Sequence, residues 1–142
     1  MTRVGFYIVQ AEAPQARLQV AARLADKAFQ SGHAIFFNCA SRDQAEAMDE
    51  LLWTFRADSF LPHGLVGSED ADRVVIGWGQ EPQHSDDLLI NLNLDVPAFF
   101  SRFHRVAEIV SQDPQSLSAL RASWSFYRER GFALEKHDIR GV

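Results

Sequence analysis

Apolar and polar positions alternate between two periods along this chain. Residues 4–10, VGFYIVQ, are β-branched and aromatic and predict a buried strand. Leu18, Ala21, Ala22, Leu24, Ala25, Ala28 and Phe29 recur at helical spacing, and Ser31-Gly32 closes that helix. Residues 33–37, HAIFF, predict a second strand. Ser41-Arg-Asp-Gln44 has the form of a capping box and opens a helix running to about Trp53. Residues 74–78 and 88–92 read as two more strands. Pro97 then heads a segment in which Phe99, Phe100, Phe103, Val106, Ala107 and Val110 keep helical spacing, which predicts a helix. Asp113-Pro114 gives an N-cap and a proline at the first helical position. The helix it opens runs to Arg130, with Gly131 as a left-handed stop and Phe132–Leu134 as a short edge strand.

Strand-helix-strand-helix order in the first half predicts a mainly parallel sheet of about four to five strands with helices on both faces, a three-layer α/β/α fold. With 142 residues and no internal repeat, the chain reads as one domain over 1–142. No stretch approaches the ~20 apolar residues of a membrane span, and the N-terminal segment lacks the layout of a signal peptide. The single Cys39 excludes an intrachain disulfide and suits a reducing cytoplasm.

A net charge of −5 argues against general affinity for nucleic-acid phosphates. The charge is unevenly spread. Residues 1–100 hold 7 basic and 14 acidic side chains, whereas residues 101–142 hold 7 and 5. A basic C-terminal region on an acidic body suits an acidic protein segment better than DNA.

The residues offer little chemistry. Glycine-rich phosphate loops are absent, and Gln10-Ala-Glu-Ala-Pro14 after the first strand would repel a pyrophosphate. His33, His63, His84, His104 and His137 are scattered without metal-ligand spacing, and Glu108, four residues after His104, reads as a helix-surface partner. Asp86-Asp87 reads as a solvated loop. Cys39 stands before a helix N-terminus, where a thiolate gains stability, but no histidine partners it. In LLWTFRADSFLPHG (51–64), Asp58, Ser59 and His63 can be drawn as a triad, but they lie within six residues of one loop and lack a nucleophile elbow. Trp53, Phe55 and Phe60 crowd the same stretch.

On the last helix, Leu117, Trp124, Arg128 and Arg121 fall at about 0°, 340°, 20° and 40°, a single stripe. Leu120 and Tyr127 lie toward the core side. An aromatic ring between two guanidiniums can receive an apolar side chain and a carboxylate together. Arginine stems packed along a boundary tryptophan give the same pattern, so periodicity leaves both readings open.

FYIV, SGHAIFFNC, LLWTFRADSFLPHGL, LLINL and WSFYRERGF, in that order along essentially the whole chain, resemble the chi-subunit family of bacterial DNA polymerase III holoenzyme. The resemblance implies a nucleotide-binding-like topology without a nucleotide site, no catalytic residues, no metal and no cofactor. It implies a cytoplasmic clamp-loader accessory subunit at the replisome, with two docking surfaces. One binds the psi subunit as a heterodimer partner, through Trp53 and Phe60 with Pro62 and His63 shaping the loop. Psi would connect the chain to the clamp loader, and an accessory repair helicase would share that surface. The other binds the acidic C-terminal tail of single-stranded-DNA-binding protein, with Arg121 meeting the terminal carboxylate, Trp124 lining the pocket, Arg128 beside it and Val110 as an apolar wall. The family pattern has a lysine where this chain has Leu117, which shifts tail binding toward Arg121 and apolar contact.

The resemblance and the residues agree on an adaptor without direct nucleic-acid or membrane contact. The alternatives are a small cytoplasmic hydrolase or transferase using Cys39 or His63, and a binder of single-stranded DNA through Trp124 and the arginines.

Overall fold

Residues 1–55, 61–68, 72–83 and 86–140 are described in the computed structural model. Seven strands form one sheet: β1 (Arg3–Val9), β2 (Ile35–Asn38), β3 (Gly64–Leu65), β4 (Val74–Gly77), β5 (Leu88–Asn91), β6 (Arg105–Val110) and β7 (Ala133–Ile139). Their order is β3-β4-β2-β5-β6-β1-β7, and every pairing is parallel. Three helices connect them: α1 (Pro14–Gln30), α2 (Arg42–Thr54) and α3 (Pro114–Glu129).

Local signals set the helix ends as the sequence predicts. The Gln44 amide donates to Ser41 Oγ at 3.1 Å, and the Gln44 side chain accepts from the Ala40 amide at 2.7 Å. Asp113 accepts from the Ser116 amide at 3.1 Å and caps α3 ahead of Pro114. Gly131, at φ +79°, turns the chain out of α3 into β7.

A parallel sheet has two buried faces, and each here has its own core. One packs Val9, Ile35, Phe37, Ile76, Ile90 and Ile109 against α1 and α2 through Ala21, Ala22, Ala25, Met48 and Leu52. The other packs Val4, Phe6, Ile8, Phe36, Leu89 and Val106 against Tyr127 of α3 and against Phe99, Phe100 and Phe103. The three layers are those expected.

The helix predicted after Pro97 does not form. Phe100–Arg102 make one 3-10 turn, and residues 105–110 are the interior strand β6. Phe99, Phe100 and Phe103 of the turn and the apolar residues of a strand buried on both faces together satisfy helical spacing by accident. Val106 and Val110 face one core while Ala107 and Ile109 face the other. The count of four to five strands is low for the same reason, and because β3 has two residues and β7 extends to Ile139.

Candidate docking surfaces

The crevice above the strand ends, where open α/β sheets commonly take nucleotides, is filled by the protein itself. Arg17 of α1 donates to the Ile109 carbonyl at 2.7 Å and to the Leu92 carbonyl at 2.5 Å, tying the ends of β6 and β5. Burial holds its guanidinium below the usual arginine pKa, with Glu108 and Asp113 acting against that shift. The space left beside Arg17, Glu108, Ser116 and Ser123 is about 10 Å³, room for one water.

Next to it lies a polar network in the α3-side core. Glu108, 5% exposed, accepts from Tyr127 Oη at 2.7 Å and from Asn91 Nδ2 at 3.0 Å. Asn91 accepts in turn from Asn38 Nδ2 at 3.0 Å. Burial pushes the Glu108 carboxyl up to about 7, against the Tyr127 and Asn91 hydrogen bonds and the Arg17 charge. The network joins β2, β5, β6 and α3. Glu108 is therefore a core residue, and its reading as a helix-surface partner of His104 is corrected.

Cys39 is buried, and burial pushes its thiol up to about 12 despite the Arg17 charge. It is a protonated core residue rather than a nucleophile. His63 is 2% exposed, with Nδ1 2.6 Å from the Leu61 carbonyl and Nε2 3.1 Å from the Asp49 carbonyl and 3.2 Å from the Asp49 carboxylate. Both ring nitrogens face the protein, so His63 holds a loop to α2 and has no free edge for proton transfer. Among the described residues, no group of three His, Cys, Asp or Glu is arranged to hold a metal ion. Nor is any helix long and apolar enough to cross a membrane.

Two surfaces remain. At the end of α2, Trp53 is 52% exposed, and its ring lies 4.4 Å from that of His63. Pro62 is exposed beside it, and Phe55 packs against the α1–α2 core. Arg56, Asp58, Ser59 and Phe60 lie outside the described residues, as does His84.

On the other side of the sheet, α3 and β7 enclose an open cavity of about 440 Å³ lined by Ile8, Leu120, Arg121, Trp124, Ser125 and Lys136. Trp124 is half-buried, its ring 5.0 Å from that of Phe6 in β1. Arg121 stands exposed on the next turn back. Tyr127 is fully buried beneath α3, where its spacing places it. Val110, Leu117 and Arg128 lie outside this lining. Val110 faces the small Arg17 space, Leu117 is half-buried one turn before Arg121, and Arg128 is exposed in the last turn. Sequence reasoning assigned none of Ile8, Leu120, Ser125 and Lys136 to this site, and Lys136 is the charged one among them. Its signal was the alternation of residues 133–139, which puts 134, 136 and 138 on one face of a strand.

Residues 1–135 match the family described as "DNA polymerase III chi subunit, HolC". The chain belongs to the chi family. A DNA polymerase III subunit chi from Pseudomonas aeruginosa is 44% identical over 139 residues, covering 98% of both chains. The chi subunit of Escherichia coli is 31% identical over 119 residues, covering 82% of this chain and 81% of its own. That of Haemophilus influenzae is 28% identical over 137 residues, covering 94% and 95%. As a chi-family protein, the chain is a non-catalytic accessory subunit in bacterial DNA replication, and the hydrolase reading falls with the burial of Cys39 and His63.

Proposed function

We propose that this chi-family protein is a cytoplasmic adaptor that links the clamp loader, through psi, to single-stranded-DNA-binding protein. The tail of that protein binds in the α3–β7 cavity, with Arg121 meeting the terminal carboxylate and Trp124 forming the apolar wall. Psi binds at the end of α2 through Trp53 and Phe60, with Pro62 and the buried His63 shaping the loop.

The observation that carries the reading is the make-up of the cavity. Ile8, Leu120 and Trp124 offer an apolar wall, and Arg121 stands at its rim without an ion pair or hydrogen bond among the described residues. An apolar side chain beside a free carboxylate is the ligand that such a site accepts, and capture of a C-terminal carboxylate is a recurrent recognition mode.

The test is a titration with a fluorescent acidic peptide copying that C-terminal tail, run beside its C-terminally amidated form. Binding of the free acid that weakens with salt, with the amide at least ~10-fold weaker, is the expected result for a charge-assisted contact worth ~1.5–3 kcal/mol. Equal binding of the two forms would remove the carboxylate from the reading.

A further inference from the structure

Arg121 is not the only cation on this cavity. β7 pairs with β1 in parallel, with Lys136 opposite Phe6 and Asp138 opposite Ile8. Successive strand residues point to opposite faces, so Lys136 rises on the face that α3 covers, next to the Phe6 ring on which Trp124 packs. Lys136 and Arg121 thus reach one cavity from two elements, the edge strand and the helix.

Arg128 lies outside the cavity lining, and two other basic side chains nearby have partners. Arg3 pairs with Glu135 at 3.0 Å, and Arg130 lies 3.7 Å over the Phe126 ring while donating to the Phe126 carbonyl. Arg121 and Lys136 have neither an ion pair nor a hydrogen bond among the described residues. Two uncompensated cations on one apolar hollow, in a chain of net charge −5, are matched by a ligand with two separate negative groups.

Resting on the tail-binding reading above, we propose that Lys136 is the second cation of the site and that it recognises an acidic side chain of the bound peptide, while Arg121 takes the terminal carboxylate. Leu117 leaves α3 without a basic residue one turn before Arg121. Lys136 supplies a second charge from a different element, across the apolar wall instead of along the helix. Asp138, beside Ile8, disfavours an acidic group at its own end of the strand and so directs the peptide's acids toward Lys136. The site then selects for an acidic residue near the terminus as well as for a free C-terminus.

The test uses three peptides of equal length at low ionic strength: the acidic free acid, its C-terminal amide, and a free acid with each Asp replaced by Asn. They are titrated against the wild type, Lys136→Gln, Lys136→Arg and Arg121→Ala, each checked for folding by circular dichroism. Lys136→Gln is expected to weaken the acidic peptide about 2- to 5-fold, the range of a partly exposed charge pair, while leaving the Asn peptide at wild-type affinity. Lys136→Arg should restore binding, and Arg121→Ala should erase the difference between acid and amide. If Lys136→Gln binds the acidic peptide like the wild type, or loses the same factor for the Asn peptide, Lys136 has no such role while the tail-binding reading stands. If the wild type binds none of the peptides, the reading and the role of Lys136 fall together.

Discussion

Glu108 is an acid placed where its charge is unwelcome. Its carboxyl titrates at about 7 in the fold and near 4.5 in the unfolded chain, so the folded state holds the proton more tightly. That contribution is complete below pH 4.5 and is lost as pH rises through about 7. Wild-type stability should therefore fall between pH 5 and pH 8 by up to about 3 kcal/mol on this account. Glu108→Gln keeps an acceptor for Tyr127 and should be more stable than the wild type at pH 8, with a flatter profile. Urea titrations of both proteins at the two pH values measure it, and parallel profiles would show that Glu108 does not set the dependence. None of this was legible in the sequence. Glu108 meets Tyr127 only because β6 and α3 are stacked across 19 residues of chain.

At the scale of elements, the difference between what was readable and what was not is one of range. Ser41 with Gln44, Asp113 with Pro114, and Gly131 act within one helical turn, and all three behave as their residue types require. Residues 97–110 form a turn and a strand because β5 and β1 flank residues 105–110, and the spacing of apolar residues within the segment does not carry that information. The β-branched Val106, Ile109 and Val110 were the available hint. The stripe proposed above for the tail was legible as far as Arg121 and Trp124, which share a helix. Lys136 was hidden because another strand brings it there. Asp113 also anchors the element that carries the stripe. The Ser111 hydroxyl at 2.5 Å, helped by the Ser116 amide, holds its carboxyl below the usual carboxylate range, so the cap is lost only as pH falls through that lowered value. Asp113→Ala should cost about 1 kcal/mol in denaturant titrations. Peptide affinity of the folded protein should stay unchanged, since the cap lies at the far end of α3 from Trp124. A loss of affinity without a loss of stability would mean that the cap shapes the cavity directly.

For the whole molecule, sheet order decides whether two partners can be held at once. α2 packs near β3 and β4, while Trp124 and Lys136 sit over β1 and β7 on the opposite face. Six strand spacings separate β3 from β7, about 29 Å at ~4.8 Å each. Sites that far apart, on different faces, share no side chains and should act independently. Trp53→Ala should weaken psi binding by ~2 kcal/mol or more and leave tail-peptide affinity unchanged, while Arg121→Ala should do the reverse. Calorimetry of each variant with each partner tests it, and a joint loss would mean coupling or unfolding.

The place of β1 in that sheet bears on how the chain is made. Residues 3–8 are hydrogen-bonded on one side to residues 105–110, and residues 3–9 on the other to residues 133–139. During synthesis β1 leaves the ribosome about a hundred residues before either neighbour exists, and pairing over such separations is slow. A nascent chain arrested after residue 104 should leave residues 3–9 open to protease, whereas release of the whole chain should protect them within one folding event. Early protection in a pulse-proteolysis series would mean that β1 finds a temporary partner. Otherwise the ribosome releases an apolar strand with nothing yet to pair with, a segment open to chaperone capture until residues 105–139 emerge.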